Sequence, residues 1–390
     1  MARSHLPAEV ERAIRAAPAH SLPESLEKAI VEGLPDVVDV RLLLADYHLS
    51  VLLSPDGELD DAPIQMLGTA AGRVFISRRP MLEPVTLEDG SAACEILAPV
   101  LARGERLGVL GVVTTVPEPG RLVDELAEIA EIAGAALKVA WNHTDRYERA
   151  RRRRRLTLAA ELQWQLLPGQ GCAGSEYSLA GHLEPAYSIG GDNFDWSTEQ
   201  DHLALTVTNG SGTGIQAALL TSLTVGALRN ARRSGGDVAE QASLAGDVVH
   251  ARYRGEEFTE TLVLRIDLAD GLVSAVDAGS PRILRMRGAK VTPIELEHQM
   301  PLGMFAETAY EVQHFNVEPG DRLVIVSDGV FSAAAPNGGD YGTMVLEQQI
   351  RRTRLQDTSE VPLSIIASLI DYHEGRDLAD DAVVLCLDWK

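Results

Sequence analysis

Gly190-Gly191-Asp192-Asn193-Phe194-Asp195 sets two carboxylates three positions apart on a backbone loosened by paired glycines. Glycine accepts dihedrals and close approaches that a side chain blocks, so a Gly-Gly-Asp turn can aim carboxylates into a cleft. Read alone, such a stretch is more often a solvated turn. Three later stretches change the reading: Thr208-Asn209-Gly210-Ser211-Gly212-Thr213-Gly214, Ser327-Asp328-Gly329 and Ala379-Asp380-Asp381-Ala382-Val383-Val384. Each falls where a strand pattern begins or ends. Hard divalent cations such as Mg²⁺ and Mn²⁺ prefer carboxylate, carbonyl and water oxygens, and a pair of them needs carboxylates from several loops. Asp192, Asp195, Asp328, Asp380 and Asp381 are the acids on offer.

The segments around these loops predict two packed sheets. Leu203, Leu205 and Val207 alternate with polar or small neighbours, as do Leu262, Leu264 and Ile266. Residues 261–267 and 272–276 are joined through Ala269-Asp270-Gly271, a hairpin signal. The apolar runs 323–326 and 383–387 suit strands buried on both faces. With helices expected over 215–229, 239–254 and 362–374, residues 168–390 read as an α/β/β/α sandwich.

The first part of the chain reads as a separate α+β domain over 22–121, preceded by a helical segment within 1–21. Strands are expected at 37–43 and 48–53, with turns at Ala45-Asp46 and Asp56-Gly57, and at 95–102 and 107–116 around Gly104; helices lie at the sheet's edges. From Leu122 onward the apolar residues Leu126, Ile129, Ala133, Ala136 and Ala140 recur four and three apart, the spacing of a coiled-coil seam. Helix formers then continue until Pro168-Gly169, predicting one linker helix over 122–167 that joins the domains and pairs with a second copy in a homodimer. The run Arg151 to Arg155 reads as a solvated turn of that helix, with contact to an acidic surface as the alternative.

Composition narrows the function. A formal charge of −22 argues against a nucleic-acid or anionic-membrane binder, which needs basic surface to displace counterions. No apolar run approaches the ~18–20 residues of a membrane span, and the N-terminus lacks a signal-peptide layout, which favours the cytoplasm. Cys94, Cys172 and Cys386 are too scattered for a disulfide framework or a metal cluster.

Two resemblances extend this reading. The strings TAAGRVFISRRP (69–80) and LAPVLARGERLGVLGVV (97–113) resemble GAF-type sensory domains. That likeness implies a regulatory unit for an unidentified small ligand or protein; Cys94 and His48 lack the partners expected of a chromophore or haem attachment point. Residues 158–390 resemble the metal-dependent PPM phosphatases of SpoIIE type. The resemblance is carried by ELQWQLLP (161–168), EPAYSIGGDNFDW (184–196), GSGTGIQAALL (210–220), TETLVLRID (259–267), DAGSP (277–281), PLGM (301–304), EPGDRLVIVSDGVF (318–331) and DLADDAVVL (377–385).

The second resemblance implies a serine/threonine phosphoprotein phosphatase holding two Mn²⁺ or Mg²⁺ ions. It assigns Asp192, Asp328 and Asp380 to the metals and to catalysis, Asp195 and Asp381 as neighbouring acids, and the Gly210 carbonyl as facing a metal. A phosphorylated anti-sigma factor antagonist is the implied substrate, in bacterial stress or developmental signalling. The chemistry implied is in-line attack of a water on phosphorus, with no protein nucleophile. The chain departs from the pattern at Asn209, where the family has a metal-bridging aspartate, and at Thr213 and Ser280, where it has histidines. A neutral amide bridges two cations poorly, which opens two alternatives: a single tightly held metal, or a pseudophosphatase that binds without turnover.

Overall fold

In a computed structural model the described residues are 6–34, 36–55, 62–152, 157–186, 190–333, 341–374 and 378–390. The expected turn at Asp56-Gly57 and residues Arg153 to Arg155 of the arginine run lie outside them. The chain divides into two compact units, Met1–Arg155 and Leu156–Lys390.

The first unit contains α1 (Leu6–Ala16), α2 (Leu22–Gly33), β1 (Val37–Ala45), β2 (Val51–Leu53), β3 (Ile64–Gln65), α3 (Ala70–Ser77), β4 (Met81–Thr86), β5 (Ala92–Ala102), β6 (Glu105–Thr114), α4 (Val123–Trp141) and α5 (Arg146–Ala150). Its six strands form one antiparallel sheet in the order β3-β2-β1-β6-β5-β4. The helices cover the faces of this sheet rather than its edges. Val40, Leu42 and Leu44 of β1 and Ile96, Ala98 and Val100 of β5 line one face, and residues of α1, α2 and α4 close over it in a single core. On β5 and β6 packs α3, whose Phe75 ring lies 5.0 Å below the Arg106 guanidinium.

The expected continuous helix over 122–167 is not formed. The helix that starts at Val123 stops at Trp141, and separate helices follow at Arg146–Ala150 and Leu158–Leu166. The reason lies in the seam: Leu126, Ile129, Ala133, Leu137 and Ala140 are buried in the core of the first unit. A four-three apolar stripe serves equally to pack a helix on a sheet, and here the sheet of the first unit takes most of it, with Ala136 of the stripe only partly buried. Arg151 is likewise not a solvated residue. Its guanidinium lies 4.5 Å from the Tyr47 ring and 4.9 Å from the Trp141 ring, and its Nε donates to the Ala45 carbonyl at 2.8 Å.

The second unit begins with α6 (Leu158–Leu166), followed by β7 (Gly171–Ala173), β8 (Tyr177–Glu184), β9 (Asn193–Thr198), β10 (His202–Gly210), α7 (Gly214–Arg233), α8 (Val238–Tyr253), β11 (Thr259–Asp267) and β12 (Leu272–Ala278). It continues through β13 (Arg282–Arg287), β14 (Lys290–Pro293), β15 (Gln313–Asn316), β16 (Asp321–Val326), α9 (Asp328–Phe331), α10 (Glu347–Arg352), α11 (Val361–Tyr372) and β17 (Ala382–Trp389). One sheet runs β15-β12-β11-β10-β9 and the other β14-β13-β16-β17-β8-β7. Leu203, Leu205 and Val207 of β10, with Leu262, Leu264 and Ile266 of β11, face Leu323 and Ile325 of β16 and Val383, Leu385 and Leu387 of β17 in the core between them. Helices α7 and α8 pack outside the first sheet, and α9 to α11 outside the second. The expected four-layer sandwich is therefore present.

The antiparallel registers bring the acidic loops together. Pairings His202↔Asp267 through Gly210↔Thr259, Arg282↔Val326 and Ala382↔Glu184 place the loops at 190–192, 211–213, 279–281, 327–328 and 379–381 at one end of the sandwich.

Candidate metal centre

The inward-facing rows of the first sheet are apolar until their last position. Leu203-Leu205-Val207 ends in Asn209, Ile266-Leu264-Leu262 ends in Glu260, and Val273-Ala275 ends in Asp277. On the opposite sheet, Leu323-Ile325 runs on to Ser327, and Leu387-Leu385-Val383 runs back to Asp381. The two-residue period of a strand carries each row straight from core into cleft. The cleft mouth is thus lined by polar groups in positions that elsewhere hold leucine and valine.

Asp381 fastens this end of the fold. Its Oδ1 accepts from the Ala186 N–H at 2.7 Å, and its Oδ2 from the Gly190 and Gly191 N–H groups at 2.9 and 3.0 Å. The Gln163 amide of α6 donates to the same Oδ2 at 2.6 Å and to the Asp192 carbonyl at 3.0 Å. Burial pushes the Asp381 carboxyl upward in pKa, against the opposing pull of these donors. With both oxygens engaged by protein donors, Asp381 positions the loop rather than offering a free metal ligand. Close packing adds to the clamp: a Cβ on Gly329 would fall 1.8 Å from the Asp381 carbonyl oxygen, and one on Gly190 would fall 2.1 Å from Asp380 Oδ1.

Asp195 also leaves the group expected to hold metal. Phe194 faces the core between the sheets, so alternation turns Asp195 to the helix-covered side of β9. There its Oδ1 accepts from Arg229 at 2.7 Å and its Oδ2 from Arg232 at 3.0 Å, both on α7. Arg229 also donates to the Leu166 carbonyl at 2.7 Å, tying the end of α6 to the same ion pair.

Asp192 is the opposite case. It is 0 % exposed, and among the described residues neither carboxylate oxygen makes a well-formed hydrogen bond, although the Ser327 side chain lies near enough to oppose the rise of its pKa. Burial foremost, and then the charge of Asp381, raises its pKa well above the ordinary carboxylate range, with Asp328 and Asp380 adding to the effect. Asp380 is raised to about 6, chiefly by burial. Asp328 is raised by burial as well, while its Oδ1 accepts from the Gly329 N–H at 3.0 Å and from the Asn209 amide at 2.6 Å. An isolated buried carboxylate is costly, and these three acids are raised in pKa by their burial.

Gly210 donates its N–H to the Gly191 carbonyl at 3.3 Å, and its own carbonyl oxygen would lie 3.3 Å from a Cβ on Gly191. It therefore stands beside the Asp192 loop. Among the described residues, no three histidine, cysteine, aspartate or glutamate side chains close round a single point. Gln163 and Glu260 are the site residues that motif reading passes over. Glu260 was signalled by alternation, since it continues the inward row of Ile266, Leu264 and Leu262; Gln163 carried no signal beyond its place in the 161–168 string.

Residues 199–390 match the family model described as Stage II sporulation protein E (SpoIIE), and this region of the chain is a SpoIIE-type domain. The Stage II sporulation protein E of Priestia megaterium is 26% identical over 182 residues, 47% of this chain and 30% of that protein. The Bacillus subtilis (strain 168) protein of the same name is 22% identical over 182 residues, 47% of this chain and 22% of that protein. The chain thus matches less than a third of the length of either relative. A solved structure of the PP2C phosphatase domain and a fragment of the regulatory domain of SpoIIE from Bacillus subtilis is similar at 17% identity and a TM-score of 0.49, over 79% of this chain and 82% of that one.

Among the described residues, no helix is long and apolar enough to cross a membrane.

Proposed function

We propose that the second unit is a divalent-cation-dependent phosphatase acting on phosphoserine or phosphothreonine in a protein, and that the first unit is a GAF-like sensory module that regulates it. The observation that carries the reading is Asp192: a wholly buried carboxylate, neither of whose oxygens makes a well-formed hydrogen bond among the described residues, within electrostatic reach of Asp328 and Asp380. Asp192, Asp328 and Asp380 would hold Mn²⁺ or Mg²⁺. When bound, the cations supply Lewis acidity that lowers the pKa of a water and offsets phosphoryl charge.

The chain's own residues do the positioning. Asp381 and Gln163 hold the loop that presents Asp192, and the nested Gly190 and Gly329 let the 190, 328 and 380 loops approach. The Asn209 amide fixes one oxygen of Asp328. A cysteine nucleophile finds no support, since burial pushes the Cys172 thiol up to about 12 and the Cys386 thiol well above its usual range. A phosphorylated anti-sigma factor antagonist is the substrate class this reading favours, with the cytoplasm as its compartment.

One contact favours the second reading, a pseudophosphatase. Asn209 donates to the oxygen of Asp328 at 2.6 Å, so the amide occupies an acceptor that a cation would otherwise use. Mn²⁺-dependent hydrolysis of a phosphoserine peptide separates the two. The phosphatase reading expects turnover by the natural chain and at least about a hundred-fold loss in Asp328→Ala. No turnover by the natural chain, with turnover gained in Asn209→Asp, establishes the pseudophosphatase instead.

A further inference from the structure

Position 209, where the phosphatase resemblance implies a carboxylate, holds an asparagine, and a carboxylate stands directly across the sheet from it. Asn209 of β10 and Glu260 of β11 are register partners, so their side chains leave the same face of the sheet. Directly opposed residues of an antiparallel pair have Cβ atoms about 4.5–5.5 Å apart, within the reach of a glutamate side chain. Both end inward-facing apolar rows at the cleft, and both are half-buried. Asn209 contacts Asp328 directly, and Asp328 and Asp277 lie within electrostatic reach of Glu260. The loop after β12 closes over this glutamate so tightly that a Cβ on Gly279 would lie 2.4 Å from the Glu260 Cβ. Ser280 stands beside both, with its hydroxyl 3.5 Å from the Asn209 amide nitrogen.

We propose that Glu260 replaces, from the neighbouring strand, the carboxylate that Asn209 lacks, and completes a divalent-cation site on the Asp328 side of the cleft. The inference rests on the reading of the cleft as a cation site, which buried Asp192, with no well-formed hydrogen bond to either oxygen among the described residues, supports independently of Glu260. Chemistry agrees on two counts. A glutamate has one more rotatable bond than an aspartate, which allows a ligand rooted one strand away to reach the same cation. Exchanging an acid at 209 for one at 260 also conserves the negative charge that a pair of hard cations needs. Asn209, relieved of bridging, is left to hold Asp328 by its amide.

The test is a calorimetric Mn²⁺ titration of the full chain, with Mn²⁺ paramagnetic resonance counting bound ions. It compares the natural protein, E260Q and the double variant N209D/E260Q. The expected result is that E260Q weakens or removes one bound Mn²⁺ by about ten-fold or more in affinity, and that N209D in that background restores it. A natural chain that takes up no Mn²⁺ overturns the cation reading and this inference together. A natural chain that binds Mn²⁺, with E260Q titrating identically or its loss not restored by N209D, overturns the inference alone. Circular dichroism in chelator verifies that each variant is folded. If E260Q does not fold, E260D carries the same comparison, and an unchanged titration there overturns the proposal as well.

Discussion

The loop at 190–195 and the loop at 379–384 each carry two carboxylates, and in each loop the two have opposite fates. In the first, Asp195 is clamped by Arg229 and Arg232, while Asp192, three residues earlier, makes no well-formed hydrogen bond through either oxygen among the described residues. In the second, Asp381 accepts from two glycine N–H groups, the Ala186 N–H and the Gln163 amide, whereas among the described residues Asp380 accepts only from the N–H of its own neighbour. Each motif thus contains one acid that builds the loop and one that the loop presents. An acid satisfied by fixed donors stabilises the fold; an acid denied donors stores an unfavourable buried charge that a cation can relieve. The local density of carboxylates is therefore a poor guide to how many bind metal.

Removing the builders is expected to have the largest effect on stability. Asp381→Ala strands the Ala186, Gly190 and Gly191 N–H groups and removes a partner from the Gln163 amide and the Asp192 N–H, at about 1–3 kcal/mol for each donor left unmade, reduced where water can enter the gap. A loss of about 4 kcal/mol in urea unfolding is expected, together with loss of Mn²⁺ binding because the Asp192 loop is released. Asp195→Ala leaves two arginines unpaired, but both retain some solvent access, so the expected loss is about 2 kcal/mol. Its Mn²⁺ stoichiometry stays that of the natural protein. A fall in the number of bound ions in a folded Asp195→Ala variant would erase the distinction between the two acids of the first loop.

The layout of the sandwich was legible because β10 and β11 alternate, because β16 and β17 are continuous apolar runs buried on both faces, and because Gly-Asp pairs interrupt these patterns at strand ends. The same alternation could have separated Asp195 from Asp192. Phe194 is too large and apolar for the helix-covered polar side, which sends its neighbours outward. What alternation cannot supply is the identity of the donors, since Gln163, Arg229 and Asp381 are brought to these loops from 29, 34 and about 190 residues away. The stripe in α4 failed for a different reason. Its four-three spacing fixes only that one face is apolar, and whether a second helix or a sheet covers that face depends on Val40, Leu42 and Leu44, which belong to another element.

The smallest effect expected from this comparison is a pH dependence of the presented acid in the metal-free protein. Asp380 is raised to about 6 from an ordinary 3.8, first by burial and then by the charges of Asp328 and Asp381. A carboxyl whose pKa is higher in the folded state binds its proton more tightly there. Its favourable contribution is complete below about 4 and is lost as pH rises through about 6. In chelator at pH 7, Asp380→Asn should therefore be more stable than the natural chain by about 1 kcal/mol, a value discounted for the solvent access of this residue. As pH falls from 7 to 4 the natural chain regains that difference and the two unfolding curves converge. A gap that is constant across this range would mean that Asp380 is already satisfied in the empty cleft, which would move it from the presented acids to the builders.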